Sequence, residues 1–379
     1  MNKSLGLYLH VPFCRSKCTY CDFHSAVAKP EVQGAYVDAL IALADSMRPQ
    51  AADYAVDTVY FGGGTPSVLA AEAFSRLMAA VRRYPLVPHA EITAEANPAP
   101  LSPDLLRVWR AEGVNRISLG MQSAVDEELK RIGRRHSRDD LQTAVAAARA
   151  VGIENISLDL MLGLPGQTLA SMHTSLSAAL ALSPTHLSVY CLKLEEGTAL
   201  ERMVESGKVT LPDDDAVAEM YLDCAARLVR EGFEHYEISN FALPGCRSRH
   251  NMRYWQRKEY LGLGPAAHSF FGGERFFFPA DTPGFIAAAS ENRLCRVVDD
   301  PADPIEETLM LSLRLSDGLD LAAFAALTDA ETAARIEKVL ERFVPTGHVC
   351  KSAAGYALTA EGMLVSNTVL TELLLALEA

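Results

Sequence analysis

The sequence lacks any long hydrophobic run, and this absence argues against a membrane-spanning helix. Although 49% of its 379 residues are hydrophobic, no apolar stretch reaches the roughly 20 residues that a helix needs to cross a bilayer. An excess of basic residues is also missing. The net charge of −13, with both signs mixed along the chain, disfavours binding to nucleic acid or to an anionic membrane surface. No signal or transit peptide pattern precedes the first predicted strand, so we expect a cytoplasmic protein.

Cysteine is scarce, but three of the eight cysteines stand close together near the start of the chain. Cys14, Cys18 and Cys21 have the spacing C-x₃-C-x₂-C and follow an apolar run that predicts a strand. Thiolates at this spacing on a loop can converge on one metal centre. A cubane iron–sulfur cluster normally takes four protein thiolates, so three would leave one iron open to a small molecule. Zinc held by the three cysteines and either His10 or His24 is the alternative, and a disulfide is disfavoured inside the cell.

Strand-like and helix-like segments alternate over about the first 200 residues. Six strand–helix units predict a parallel sheet with helices packed on it. A complete (β/α)₈ barrel needs eight units over about 250 residues, so six indicate an α/β fold built on a partial (β/α)₆ TIM-like barrel. The predicted strands are Leu5–Val11, Val56–Phe61, Ala90–Ala94, Arg116–Gly120, Asn155–Met161 and His186–Leu192. Between them, Ser102 and Ser137 are predicted N-caps of helices.

The alternation ends near Leu211, and the chain beyond it is interpreted as two further segments. A strand is predicted over 235–241, and Pro244–Pro279 is expected to form loops and short strands. Near the end, residues 355–362 resemble a hairpin and a helix closes the chain. The predicted domains are a partial barrel (1–211), a barrel extension (212–303) and a small α+β, winged-helix-like C-terminal domain (304–379).

Polar or glycine-rich residues stand at the C-terminal end of several predicted strands, where barrels of this kind carry their chemistry. Gly62–Pro66 follow the second strand, Glu95 ends the third, and Gln122 ends the fourth. Asp159 lies in the fifth strand. Glycine lets a backbone pass close to a ligand, and a carboxylate on a buried strand is rarely left unpaired. Each of these residues alone, like Arg134 nearby, is more often structural, but together they predict a site for a polar cofactor.

The cysteine spacing, with a tyrosine before the third cysteine, resembles the cluster motif of the radical S-adenosylmethionine (radical SAM) superfamily. The resemblance implies that the three cysteines bind a [4Fe–4S] cluster whose open iron is filled by SAM. The run GGGTP is similar to the form found in the coproporphyrinogen-oxidase-like branch of the superfamily. By the same resemblance Arg134 would hold the SAM carboxylate, for which a forked donor is suited. The SAM-contacting residues implied in this way are Tyr8, Tyr20, Gly63, Gly64, Thr65, Glu95, Gln122, Arg134 and Asp159.

Two departures separate the sequence from the oxygen-independent coproporphyrinogen III oxidases of this branch. Phe23 stands where the oxidases have a fourth cysteine, and the first strand begins within a few residues of Met1. A further motif, H-N-x-x-Y-W within Arg249–Trp255, resembles the signature of a family of haem chaperones related to the oxidases. Imidazole is a standard axial ligand of haem iron. His250 is therefore the candidate haem-contacting residue, and His268 is the second candidate.

The resemblance implies a haem chaperone that binds haem and passes it to acceptor haemoproteins, expected among the haem proteins of the respiratory chain. Its cofactors would be a [4Fe–4S] cluster and SAM, with haem as the third group bound. Contact with a membrane would come only through partners, no nucleic-acid partner is expected, and a homodimer is a further hypothesis. Three alternatives stay open: the oxidase, a different radical SAM enzyme, and a zinc-binding structural protein.

Overall fold

The computed structural model of the chain describes residues 3–352 and 355–378. The chain forms two compact units, neither of which is continuous in sequence. The first unit consists of the residues up to Val217 together with Glu259–Asp299. The second consists of Ala218–Lys258 together with the residues from Asp300 onwards. The three domains inferred from the sequence stay a prediction about how the chain is organised.

The six strands predicted from the sequence are confirmed, each to within four residues at either end. Further strands follow in segments whose sequence pattern was less regular. The strands of the described residues are β1 (Lys3–Val11), β2 (Tyr54–Gly63), β3 (Leu86–Ala96), β4 (Arg116–Gln122), β5 (Asn155–Leu162), β6 (His186–Cys191), β7 (Glu234–Glu237), β8 (Asn240–Ala242), β9 (Tyr260–Leu263), β10 (His268–Phe271), β11 (Glu274–Phe277), β12 (Val297–Val298), β13 (Leu319–Asp320), β14 (Val349–Lys351) and β15 (Gly355–Leu358).

Helices connect these strands, and both predicted N-caps are confirmed. Ser102 accepts a hydrogen bond from the backbone of Asp104, and Ser137 forms a capping box with Asp140. Among the described residues, no helix is both long and apolar enough to cross a membrane. The helices are α1 (Pro30–Met47), α2 (Ala71–Val81), α3 (Pro103–Ala111), α4 (Asp126–Arg131), α5 (Arg138–Ala150), α6 (Leu169–Ala181), α7 (Ala199–Glu205), α8 (Asp214–Arg230), α9 (Arg249–Trp255), α10 (Thr282–Ser290), α11 (Pro304–Ser312), α12 (Leu321–Leu327), α13 (Ala330–Phe343), α14 (Ala360–Leu364) and α15 (Ser366–Glu378).

In the first unit the strands form one sheet in the order β12-β11-β10-β9-β1-β2-β3-β4-β5-β6. All neighbours from β9 to β6 run parallel, and β10, β11 and β12 form an antiparallel ribbon beside β9. The parallel part, with a helix after each of its first five strands, confirms the predicted α/β class. The strand β9 is one of the short strands expected over Pro244–Pro279, but its parallel pairing with β1, which gives β1 a second partner, was not predicted.

The two faces of this sheet differ in chemistry because successive side chains of a strand point to opposite sides. In β2, Val59 and Phe61 are fully buried, whereas Tyr60 between them belongs to the other face. The Phe61 ring lies 4.8 Å from Phe74 of α2, which lies 5.3 Å from Trp109 of α3. Burying such side chains contributes about 1.5–3 kcal/mol each. The opposite face is polar along all six strands and carries Tyr8, Tyr60, Glu95, Ser118, Asp159 and Ser188.

The second unit is built from helices and a small antiparallel sheet in the order β13-β15-β14, together with the hairpin β7-β8. One of its apolar clusters consists of Tyr236, Ala242, Met252 and Leu315, with Trp255 packed against it. This mixture of elements agrees with the predicted α+β character of the C-terminal region.

Two local predictions in the second unit were wrong. The strand predicted over 235–241 is a hairpin, because the Glu237 carboxylate accepts hydrogen bonds from the backbone of Ser239 and the side chain of Asn240 and so closes a turn. Residues 355–362 do not form a hairpin by themselves. They supply β15, which pairs with β14, and then Thr359 caps α14.

The segment Pro244–Pro279, expected to hold only loops and short strands, also contains α9. This helix carries the H-N-x-x-Y-W motif. Its start is fixed by Ser248, whose hydroxyl accepts a hydrogen bond from the Asn251 backbone at 3.3 Å. A serine three residues before an asparagine was therefore the available signal of a helix start.

Candidate functional site

The three motif cysteines lie in the loop that leaves β1, and all three are partly exposed and free of disulfides. The loop is tied to two neighbouring connections of the parallel sheet. The Thr19 backbone N–H donates to the Ile132 carbonyl at 3.1 Å, and its carbonyl accepts from Leu200 at 2.8 Å. The Cys14 N–H donates to the Ala26 carbonyl at 3.0 Å, which closes the base of the loop.

The chemistry of this donor set suits an iron–sulfur cluster, which takes cysteine thiolates as its ligands. Burial raises the pKa of Cys21, while a backbone hydrogen bond at Phe23 and the charge of Lys17 oppose that rise. Over residues 3–352 and 355–378, no three His, Cys, Asp or Glu side chains are arranged to hold a single metal ion. In a cubane cluster each thiolate binds a different iron at a separate corner, so the three sulfur atoms do not have to converge on one point as they would around a single ion.

The two histidines of the zinc alternative both have partners in the structure. His10 Nδ1 lies 3.0 Å from the hydroxyl of Tyr8, and Nε2 lies 3.0 Å from the carbonyl oxygen of His24. His24 Nε2 lies 2.9 Å from the Thr282 hydroxyl. Burial lowers the pKa of His10 to about 4, so its imidazole is neutral at neutral pH. These contacts bind the loop to β1 and α10.

The glycine run packs directly against the cysteine loop. Gly63 has a φ of +101°, a left-handed value that favours glycine, and a Cβ there would overlap the His10 ring. The Gly64 N–H donates to the Val11 carbonyl at 2.9 Å. The Thr65 N–H donates to the Phe13 carbonyl, at the start of the loop, at 2.7 Å. The glycines thus let the end of β2 lie against the end of β1.

A chain of polar contacts runs from the first cysteine across the strand ends. The Thr65 hydroxyl lies 3.4 Å from Cys14 Sγ and accepts from Asn97 Nδ2 at 3.2 Å. Arg134 donates one hydrogen bond to the Asn97 side-chain oxygen and another, at 2.8 Å, to the Tyr20 hydroxyl. Because Tyr20 belongs to the cysteine loop, this series of contacts begins and ends on that loop. Asn97 was not among the predicted site residues. It could have been found from its position directly after the end of β3, the edge at which the other polar site residues stand.

Two carboxyl groups lie on the polar face near this chain. Glu95 accepts from the Tyr60 hydroxyl at 2.8 Å, and Asp159 accepts from Ser118 at 3.0 Å. Burial raises the pKa of Glu95 to about 7; the Tyr60 hydrogen bond opposes this rise and the neighbouring Asp159 adds to it. Burial also raises the pKa of Asp159. Both groups are oriented acceptors, held ready for a ligand that donates hydrogen bonds.

Gln122 and Arg134 share the space left by a glycine. A Cβ on Gly120 would lie 3.0 Å from Gln122 Nε2 and 3.2 Å from Arg134 Nη2. Gln122 is buried and has a φ of +63°, a strained conformation for a residue other than glycine. Within the described part of the chain, Arg134 Nε and Thr19 Oγ1 are buried without a hydrogen-bond partner. A buried unpaired donor is costly, so these two atoms fit a site that a polar ligand completes.

The two histidines of the haem hypothesis differ in setting. His250, in α9 of the second unit, is fully buried, and its Nε2 lies 2.9 Å from the Tyr254 hydroxyl. His268, in β10 of the first unit, is exposed. The first unit brings together the residues predicted for the cluster and for SAM, which are Tyr8, Cys14, Cys18, Tyr20, Cys21, Gly63, Gly64, Thr65, Glu95, Gln122, Arg134 and Asp159.

Comparison with known proteins shows the family and the fold of the chain. The model of the radical SAM superfamily matches residues 8–179, and that of the HemN C-terminal domain matches residues 299–365. The structure of Escherichia coli coproporphyrinogen III oxidase (HemN) superposes with a TM-score of 0.84 over 98% of this chain and 90% of that chain, at 24% identity. This likeness confirms the fold predicted from the sequence, the radical SAM α/β fold with a C-terminal domain.

The similarity to curated relatives extends over nearly the whole chain. The heme chaperone HemW of Bacillus subtilis is 35% identical over 96% of this chain and 97% of its own length. The heme chaperone HemW of Escherichia coli is 36% identical over 98% of both chains. The radical SAM superfamily implies a [4Fe–4S] cluster and SAM as cofactors. These similarities show that the chain belongs to the HemW family of heme chaperones, within the radical SAM superfamily.

Proposed function

We propose that the protein is a haem chaperone: it binds haem and delivers it to acceptor haemoproteins, on a scaffold that holds a [4Fe–4S] cluster and SAM. The observation that carries this proposal is the similarity, at 35–36% identity and from end to end, to relatives named heme chaperone HemW. The H-N-x-x-Y-W motif, on a helix of its own in the second unit, supports it.

Cys14, Cys18 and Cys21 would hold the cluster. When bound, the cluster supplies an open iron that the amino and carboxylate groups of SAM can fill, and an electron that can cleave SAM. The protein's part is to fix the loop through the backbone bonds of Thr19 and Cys14. The Thr65 hydroxyl, near Cys14 Sγ, would orient that ligand.

The polar face beside the loop would hold SAM. The buried Nε of Arg134 has no partner in the described structure, so it is the donor proposed for the SAM carboxylate. Asn97 and Tyr20 hold the two terminal nitrogens and so fix the guanidinium. Glu95 and Asp159 are acceptors for the amino group and the sugar hydroxyls. Gln122, in its left-handed conformation, would reach the adenosine. Tyr8, Tyr20, Gly63, Gly64 and Thr65 complete the predicted SAM-contacting set.

Haem would be held at His250, with delivery to haem proteins of the respiratory chain, and with the homodimer as a hypothesis about assembly. His250→Ala should lower the affinity for haem and leave the cluster absorbance unchanged. Since His250 is buried and bonded to Tyr254, iron binding there requires that this contact open.

The test is an anaerobic assay of cluster-reconstituted protein with SAM, a strong reductant and coproporphyrinogen III. We expect no protoporphyrinogen, together with haem binding and haem transfer to an apo-haemoprotein. Decarboxylated product at catalytic stoichiometry would contradict the chaperone function and favour the oxidase. Iron and acid-labile sulfide analysis decides the zinc alternative, because bound zinc without sulfide would exclude the cluster.

A further inference from the structure

The side chain of His250, the histidine of the haem motif, is inaccessible to solvent in this structure. Iron would bind the same nitrogen of His250, Nε2, that lies 2.9 Å from the Tyr254 hydroxyl. The two rings meet edge to face at 5.3 Å, and the His250 side chain is fully buried. A haem arriving from solvent therefore meets no accessible imidazole at this position until α9 rearranges.

The ribbon β10-β11-β12 of the first unit presents an accessible imidazole instead. The register pairs His268 with Phe277, and Phe277 with Val297, so the three side chains lie side by side on one face. The His268 side chain is 62% exposed, and Val297 is 43% exposed. Phe270 and Arg275 also pair with each other, two residues along their strands from His268 and Phe277, so they share that face.

The His268 ring packs on an aromatic ring and lies close to a carboxylate. It stacks on the Phe277 ring at 5.0 Å with an interplanar angle of 26°. Its Nδ1 lies 3.7 Å from an Asp299 carboxylate oxygen. Histidines that bind metals usually direct their second ring nitrogen to a carboxylate or carbonyl. Within the described residues, Nε2 of His268 has no hydrogen-bond partner, so it is the nitrogen left for a ligand.

The remaining side chains of the face complement the rest of the haem molecule. Haem is a flat apolar macrocycle with an iron at its centre and two carboxylates at one edge. Phe277, Phe270 and Val297 offer apolar and aromatic surface. The Arg275 guanidinium lies 4.8 Å from the Phe270 ring centroid and supplies a cation on the same face. The match covers all three chemical parts of the ligand.

We propose that this face of the ribbon, formed by His268, Phe270, Arg275, Phe277 and Val297, is a second haem-binding surface, with His268 as the iron ligand. It is the site at which haem is taken up from solution, before His250 becomes accessible. The proposal rests on the proposed function, since it assumes that haem is the cargo.

The test is a haem titration and a rapid-mixing experiment on the full chain, followed by the Soret band and by magnetic circular dichroism. His268→Ala should lower the initial rate and affinity of uptake by about tenfold or more, since even losing a second-shell partner of a metal ligand costs about 10–100-fold in affinity. His89→Ala removes another exposed histidine and should leave both unchanged. In the His250→Ala background an imidazole-ligated spectrum should persist, and adding His268→Ala should abolish it.

Three results separate this inference from the proposed function. If the wild-type protein binds no haem, the chaperone function fails. If it binds haem but His268→Ala gives the wild-type rate and spectrum, only the uptake surface is wrong. If His268→Ala slows uptake, His268→Gln should slow it equally, because the amide lacks an imidazole nitrogen. A wild-type spectrum in His268→Gln would also overturn the ligand assignment.

Discussion

The cofactor site of the first unit and the haem motif of the second unit are built in opposite ways. The first is collected from the ends of several parallel strands, and residues far apart in sequence, such as Cys14, Asn97 and Arg134, are linked by hydrogen bonds. The second is contained in the seven residues of α9, and its histidine is buried and bonded within the same helix. The dispersed site is preformed for a ligand, whereas the contiguous motif is closed.

This difference shows that a contiguous motif such as H-N-x-x-Y-W is easy to find in the sequence, whereas its ligand-binding role is harder to infer from the structure. Register on a parallel sheet brings the dispersed residues to one edge whatever the loops between them do. A short helix keeps neighbouring residues in contact whether or not a ligand is bound. Ligand binding by α9 therefore depends on whether the contact between His250 and Tyr254 can break. The predictions below test each half of this comparison.

The largest effect is expected from Cys18→Ser, which separates the two sites completely. Removing one of three thiolates should abolish the cluster absorbance and the iron and sulfide content of anaerobically reconstituted protein. Haem binding should remain, because the proposed haem-contacting residues, His250 and His268, lie outside the cysteine loop. Cys350→Ser, an exposed thiol of the second unit, is the matched control and should keep the cluster. Loss of haem binding in Cys18→Ser would show that the sites depend on each other.

Replacing the arginine that joins the strand ends should weaken SAM binding strongly. Arg134→Leu should lower SAM affinity by roughly 10–100-fold, since hydrogen bonds to charged groups contribute about 1.5–3 kcal/mol each. The measurement is calorimetric titration of the cluster-loaded protein with SAM. The neighbouring exposed residue provides a control, and Arg135→Leu should bind SAM normally. Equal affinity in the two variants would remove Arg134 from the site.

The raised pKa of Glu95 predicts a pH dependence confined to the dispersed site. The folded carboxyl has a pKa of about 7 and the unfolded one about 4.5. Between these values the folded state binds more protons, so the stability of the ligand-free protein falls as pH rises. SAM affinity should rise over the same change, by up to about tenfold from pH 6 to 8, because the ionised carboxylate is the better acceptor.

Glu95→Gln should make both pH profiles flat near neutrality. Glu154→Gln, at an exposed carboxylate, should keep the wild-type profiles. Thermal melts without ligand and SAM titrations at several pH values supply the two readouts. A wild-type pH dependence in Glu95→Gln would assign the titration to another group, with Asp159 the first candidate.

The smallest effect is expected from Tyr254→Phe, which tests whether α9 is closed by its own hydrogen bond. Removing the hydroxyl takes away its hydrogen bond to Nε2 of His250 and should raise haem affinity by about fivefold, since one hydrogen bond contributes about 1 kcal/mol net. Tyr356→Phe, which removes a tyrosine hydroxyl elsewhere in the second unit, should leave haem affinity unchanged. A lower affinity in Tyr254→Phe would mean that the hydroxyl assists binding and does not compete with it.

Much of the first unit could be predicted from the sequence because its information is local. Apolar runs and turn residues predicted the six parallel strands, and the polar residues at their ends, together with the family resemblance, supplied the candidate site residues. The bridging role of Asn97 could not be read in the same way, since it depends on which side chains the sheet register brings within reach. The pKa of Glu95 likewise depends on burial, which no short window of sequence determines.

The misjudged regions share a different cause. The hairpin of β7 and β8 depends on one carboxylate that accepts from two following residues, so an apolar pattern alone reads as one strand. α9 is short and rich in aromatic and basic residues, which hides its period. The strand β9 has only four residues, and its pairing with β1 bridges more than 240 positions of sequence. The assignment of His250 and His268 to haem stays a prediction.

The position of β1 between β2 and β9 has a consequence for how the protein is made. During synthesis β1 can pair with β2 early, but its other edge stays open until residues 260–263 have left the ribosome. The loop with Cys14, Cys18 and Cys21 extends from this strand. The sheet that carries this loop therefore gains the second neighbour of β1 only after about two-thirds of the chain exists. The backbone bonds that tie the loop to Ala26, Ile132 and Leu200 join residues that are made earlier. A fragment that stops at Val217 would carry every cysteine ligand on an unfinished sheet.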